Sequence, residues 1–227
     1  VVMYDFLIGP MFWLSLAVFV FGMLARVIWY IRGLKWQLDR VAYRAYPGPG
    51  AKGALRSIFY WLIPFGTHGW RRQPLMTVAF FLFHIGAVLL PLFLLAHTLF
   101  IREKIGIALP ALPSAVADVL TWAVIAGAVL LVLRRIALPE VRILTTPYDY
   151  FILLVSVAPF VTGLLARYHV GDYQFWLTTH ILCGELLLVL APFTKLSHIV
   201  LFFMSRMQLG MDYGIKRGGM KGKGMAW

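Results

Sequence analysis

His180–His198 reads HILCGELLLVLAPFTKLSH. Two histidines close off an apolar run, 18 positions apart. On a straight α-helix that is five turns at about 3.6 residues per turn, so both imidazoles are expected on one face, roughly 27 Å apart along the axis. A run this long and this apolar reads as a membrane-crossing helix. An ionisable group inside such a helix is expensive, which makes it a functional candidate by default.

The rest of the chain belongs to the same class. Of its 227 residues, 61% are hydrophobic and only 13% are charged, whereas a soluble domain is closer to half apolar and a quarter charged. Five apolar segments stand out, at about 6–31, 75–100, 115–133, 148–166 and 175–204. Each is long enough to cross about 30 Å of hydrocarbon as a helix, which takes about 20 residues. None alternates apolar and polar residues as a barrel strand would. The expected fold is an all-α membrane bundle of five helices occupying 1–205, followed by a basic Gly- and Lys-rich tail at 206–227. No positive residue precedes Arg26, so a cleaved leader with a charged start is not expected. The single cysteine, Cys183, excludes a disulfide framework and a cysteine-ligated cluster held by this chain alone.

The formal net charge of +12 could suggest nucleic acid, but its distribution points elsewhere. The 32–74 loop carries Arg32, Lys35, Arg40, Arg44, Lys52, Arg56, Arg71 and Arg72 against Asp39 alone. Arg134, Arg135 and Arg142 face Glu140 in the third loop, and Arg206, Lys216, Arg217, Lys221 and Lys223 face Asp212 in the tail. The alternate loops carry few cations. Positive loops stay cytoplasmic, so the N-terminus is expected outside and the C-terminus inside, with no nucleic-acid role. Within the first loop, YPGPGAKG reads as an irregular turn. ALRSIFYWLIPFGTHGW reads as a helix lying on the lipid surface.

The six histidines are His68, His84, His97, His169, His180 and His198. Two fall in the second span and two in the fifth. These spans run in opposite directions, so His84 meets His198 near the inner face and His97 meets His180 near the outer. Facing imidazoles can ligate iron from both sides of a porphyrin, leaving no open position, which suits electron transfer. The spacing of His84 and His97 is 13, about 220° around an ideal helix. A kink at Pro91, which removes a backbone hydrogen bond, would have to rotate the outer half. His169 is the alternative outer ligand. Gly86 and Gly184 would let a flat macrocycle approach the backbone, or serve ordinary helix packing. Propionates need cations: Arg71, Arg72 and Lys195 inside, Arg102, Lys104 and Arg167 outside.

FHIG at Phe83–Gly86 and the His180–His198 run ending PFTKLSH resemble the haem-b gamma subunit of respiratory nitrate reductases. That resemblance implies five helices, two bis-histidine haems b and a quinol site near the outer haem. It gives His84 and His198 to the inner haem and His180 to the outer. Ten residues after the first histidine, where the family has its second, this chain has Leu94, and the histidine is His97. That departure and the opening MYDFLIGP are similar to the haem-b membrane subunits of the transmembrane redox complexes of sulfate-reducing bacteria, with the subunit paired with a high-molecular-mass multihaem cytochrome c as the nearest. The partners so implied are that periplasmic cytochrome, a cytoplasmic iron–sulfur protein and further membrane subunits, with menaquinone as a candidate ligand. Independent catalysis is not expected.

Glu185, inside the fifth span, is either a proton- or quinone-linked carboxyl or a structural hydrogen bonder, and His169 either lines a quinone pocket or caps the fourth span. A haem-free anchor for peripheral redox subunits would need cytoplasmic surface but no matched histidines at two depths. A transporter would need broken helices in symmetric positions and an internal repeat, and no repeat is visible.

Overall fold

The computed structural model describes residues 2–34 and 47–216. Lys35, Asp39, Arg40 and Arg44 of the first loop, and Arg217, Lys221 and Lys223 of the tail, lie outside the described residues. The described residues are mostly helical: α1 (Val2–Phe6), α2 (Phe12–Gly33), α3 (Pro47–Leu62), α4 (His68–Arg72), α5 (Pro74–Phe93), α6 (Leu95–Ile105), α7 (Ser114–Ala137), α8 (Pro139–Arg142), α9 (Pro147–Arg167), α10 (Tyr173–Leu190) and α11 (His198–Lys216). A π-helical turn, Leu7–Met11, joins α1 to α2 and accommodates Pro10, which has no N–H to donate.

Five stretches are long and apolar enough to cross a membrane: Met3–Gly33, Pro74–Phe93, Ser114–Ala137, Pro147–Arg167 and Tyr173–Phe193. The chain is therefore a multi-pass α-helical membrane protein. Two spans end earlier than hydropathy suggests. The second stops at Phe93, where Leu94 turns extended (φ −65°, ψ 135°) before α6 restarts. The fifth stops at Leu190 and passes through two 3-10 turns, Ala191–Phe193 and Lys195–Ser197, with Thr194 extended between them. His180 and His198 therefore sit on different helices, and the straight five-turn register expected between them does not exist. Apolar residues continue across both breaks, so hydropathy cannot register them.

The chain divides into two compact units, 1–73 with 185–227, and 74–184. In the first, α3 and α11 pack backbone to backbone. A Cβ added to Gly53 would strike the carbonyl oxygen of Gly210, and one on Gly214 would lie 2.7 Å from that of Pro49. This corrects two expectations. Pro47–Gly50 is the first turn of α3 rather than an irregular loop, because proline is tolerated in a first helical turn and glycines permit the close approach. Residues 206–216 continue α11 rather than beginning a free tail, because Gly210 and Gly214 are held against α3.

In the second unit, Phe83, Leu90, Ala117, Val124 and Ala128 form the core. A Cβ on Gly127 would lie 2.8 Å from the Phe83 nitrogen, and one on Gly86 would collide with Val124 and lie 2.8 Å from the Leu120 carbonyl. Gly86 thus belongs to the packing of α5 on α7, not to a macrocycle face. Membrane helices lack a hydrophobic drive toward each other, and small residues supply association through close packing.

Candidate metal centre

The break between α5 and α6 positions His97. Pro91 cannot donate a backbone hydrogen bond, and the helix fails three residues later. The Phe93 carbonyl freed there accepts from Leu112 N at 2.8 Å. Leu90 O keeps its helical bond from Leu94 N at 3.1 Å and accepts a second one from His97 Nδ1 at 3.1 Å. The interruption redirects His97 until its ring stands against that of His180, with centroids 5.8 Å apart and planes within 9° of parallel.

His180 comes from α10 and is anchored on α9. Its Nδ1 donates to the Pro159 carbonyl at 2.8 Å. Two imidazoles that each give a nitrogen to one metal ion have centroids about 6 Å apart, from two metal–nitrogen bonds of about 2.0 Å plus part of a ring on each side. The observed separation matches that requirement.

His169, the alternative outer ligand, lies elsewhere. It adopts a left-handed backbone (φ 51°) in the loop before α10, and its ring tilts over Tyr173 at 5.0 Å. His97 is the histidine brought to His180.

The other two candidates belong to different units, and each is described within its own. His84 Nδ1 donates to the Phe80 carbonyl at 2.8 Å, and its ring stacks on Phe80 at 3.9 Å. His198 opens α11, where its Nδ1 donates to the Lys195 carbonyl at 2.9 Å. The same arrangement thus recurs at His84, His97, His180 and His198. A carbonyl oxygen can only accept, so each imidazole carries its proton on Nδ1, and in the neutral ring Nε2 holds the lone pair. Metal-ligating histidines are characteristically oriented in this way by a partner on the other ring nitrogen.

Among the described residues no group of three or more His, Cys, Asp or Glu could hold a metal ion. A structural metal held by protein side chains needs about four ligands. Two imidazoles at this spacing are a donor pair that would suit an ion whose remaining positions are filled by a macrocycle.

The cationic candidates are less specific. Arg167 forms a two-pronged pair with Asp118, both contacts at 3.1 Å, which ties the end of α9 to the start of α7. Its guanidinium is committed to that pair rather than held ready for a propionate or quinone. Lys104 pairs with Glu103 at 3.0 Å. Arg71 and Arg72 are exposed on α4, Arg102 is exposed on α6, and Lys195 is exposed in the second 3-10 turn. Added atoms at Gly184 would meet nothing within 4 Å, so that glycine keeps one face of α10 open. Glu185 is 4% exposed, and neither carboxyl oxygen has a hydrogen-bond partner.

The sequence reading missed Gly163. A Cβ there would lie 2.9 Å from His180 Nδ1 and 3.0 Å from its Cε1. The signal was the pairing of Pro159 and Gly163, one helical turn apart in a span without histidine.

A protein of Nitratidesulfovibrio vulgaris is 66% identical over 226 residues, covering 99% of this chain and all of that one. The chain belongs to the same family as that protein. No protein-family model and no solved structure matches the chain.

Proposed function

We propose that this chain is the di-haem cytochrome b subunit of a membrane-bound respiratory redox complex. The observation that carries this reading is the His97–His180 pair, parallel at 5.8 Å with each Nδ1 tied to a main-chain carbonyl. Haem supplies one-electron redox chemistry when bound. The chain's residues fix its ligands, their tautomers and the low dielectric around them. His97 and His180 hold the outer haem, and His84 and His198 hold the inner one. For the inner pair the support is the matching Nδ1 anchorage and the resemblance to the nitrate reductase gamma subunit.

The excess of Lys and Arg in alternate loops supports an N-terminus outside and a C-terminus in the cytoplasm, in the bacterial inner membrane. Electrons then pass between a periplasmic multihaem cytochrome c, or menaquinone, and a cytoplasmic iron–sulfur subunit, with further membrane subunits alongside. Glu185, sealed without a hydrogen-bond donor, is the candidate for proton or quinone chemistry in that path. His169 has a place in this scheme only as a rim residue.

The test is a reduced-minus-oxidised spectrum of the purified chain with haem quantified per polypeptide. Two haems b per chain are expected, with one lost in His84→Ala and in His198→Ala, and none in His169→Ala. A chain that takes up no haem when haem is plentiful would be a membrane anchor instead.

A further inference from the structure

We infer that α9, a span with no histidine of its own, is the positioning element for the His180 ligand, with Gly163 as the seat and the Pro159 carbonyl as the anchor. This rests on the reading of His97 and His180 as haem ligands.

Three observations converge. First, the His180 ring occupies the space where any side chain at position 163 would begin, with Nδ1 and Cε1 at 2.9 and 3.0 Å from a Cβ built there. Only glycine allows an imidazole that close to a helix backbone. Second, that approach brings Nδ1 to the Pro159 carbonyl at 2.8 Å. The Thr162 hydroxyl lies 3.2 Å from the same oxygen, while its proton goes mainly to the Ala158 carbonyl at 2.7 Å. Third, one turn further along α10, Cys183 lies against the Thr162 side chain of α9. The two helices thus meet at the ligand and again one turn beyond it.

The consequence is electronic as well as steric. A hydrogen bond from Nδ1 raises the basicity of the ligating nitrogen, which favours the ferric ion. A methyl group at position 163 pushes the ring off α9 and weakens that bond. The haem between His97 and His180 then becomes easier to reduce, or is lost. The haem assigned to His84 and His198 takes no ligand from this seat and is not expected to change.

The experiment is a redox titration, with low-temperature EPR, of the unmodified protein, Gly163→Ala and Gly214→Ala. Gly214 is the control for crowding alone, because its Cβ would lie 2.7 Å from the Pro49 carbonyl, more than four turns along α11 from His198. Gly163→Ala is expected to shift one haem to a more positive potential and alter its EPR signal, or to lose that haem, with the other unmoved. Gly214→Ala is expected to move neither. Unchanged potentials and signals in Gly163→Ala, or equal shifts in both variants, would overturn the inference while leaving the haem reading intact. An unmodified protein without haem would remove the haem reading itself. If Gly163→Ala does not accumulate, pulsed EPR on unmodified protein with 15N-labelled histidine still decides. A protonated, hydrogen-bonded remote nitrogen on both axial ligands supports the seat, and an unbonded one on either overturns it.

Discussion

The two broken helices follow one plan with different materials. In the second span PLFLLAH runs from Pro91 to His97, and in the fifth PFTKLSH runs from Pro192 to His198. Each proline precedes a histidine by six positions; in the second span the helix fails after the proline, at Leu94, and in the fifth it ends at Leu190, just before Pro192. The first break consists of a single extended residue, Leu94, and its freed carbonyl at Phe93 is taken by a main-chain N–H from Leu112. The second break is longer and more polar. Arg26 Nε donates to the Pro192 carbonyl at 2.6 Å. The Thr194 hydroxyl accepts from Leu196 N, and the Ser197 hydroxyl donates to the Thr194 carbonyl. Unsatisfied backbone groups are prohibitive in lipid, so each interruption carries its own replacement partners. The comparison teaches that a proline and a short extended segment serve to re-aim a histidine. Whether the repair is apolar or charged follows from what lies beside it.

Abolishing the first break should have the largest effect. Pro91→Ala restores a backbone donor and removes a penalty of about 3 kcal/mol against continuous helix. The α5 helix should then run on through Leu94 and turn His97 away from His180. The expected result is loss of one haem from the purified protein while the other persists. Retention of both would mean that the break forms without its proline.

At the second break, Arg26→Leu removes the charged donor from Pro192. A hydrogen bond from a charged group contributes roughly 2 kcal/mol, so the thermal midpoint should fall, with Arg26→Lys recovering part of the loss. An unchanged midpoint would show that the Pro192 carbonyl finds another donor. Gly86→Ala places a methyl group against Val124 and the Leu120 carbonyl. Overpacking typically costs about 1–3 kcal/mol. Stability should drop with haem content per folded chain unchanged, and haem loss would return Gly86 to the macrocycle. The smallest effect is expected from Asp118→Asn, which opens an exposed ion pair with Arg167. Exposed pairs contribute little, and neither haem content nor the midpoint should move measurably.

The five spans were legible in the sequence because hydropathy sums over about twenty residues and tolerates local irregularity. The breaks were not, because they are bounded by Leu, Phe and Ala that score as membrane-compatible in any conformation. Pro91 was a usable warning: the angular misfit of His84 and His97 demanded an interruption there, and the structure has one three residues on, at Leu94. Pro192 carried the same warning in the stretch PFTKLSH, but the even five-turn spacing of His180 and His198 hid it. Pro47–Gly53 was misread for the opposite reason. Its glycines look like turn residues until Gly210 and Gly214 are set against them, and sequence order gives no sign of that encounter. Gly163, one turn after Pro159, was passed over because a glycine in an apolar run usually serves packing alone.

The central claim is that His97 and His180 ligate one and the same iron. The most direct test is haem stoichiometry in the unmodified protein, His97→Ala, His180→Ala and the double variant. Partners on a single ion are not additive, so all three variants should lose the same one haem and keep the other. If the double variant loses two haems where each single variant loses one, the two histidines serve different irons and the account is wrong.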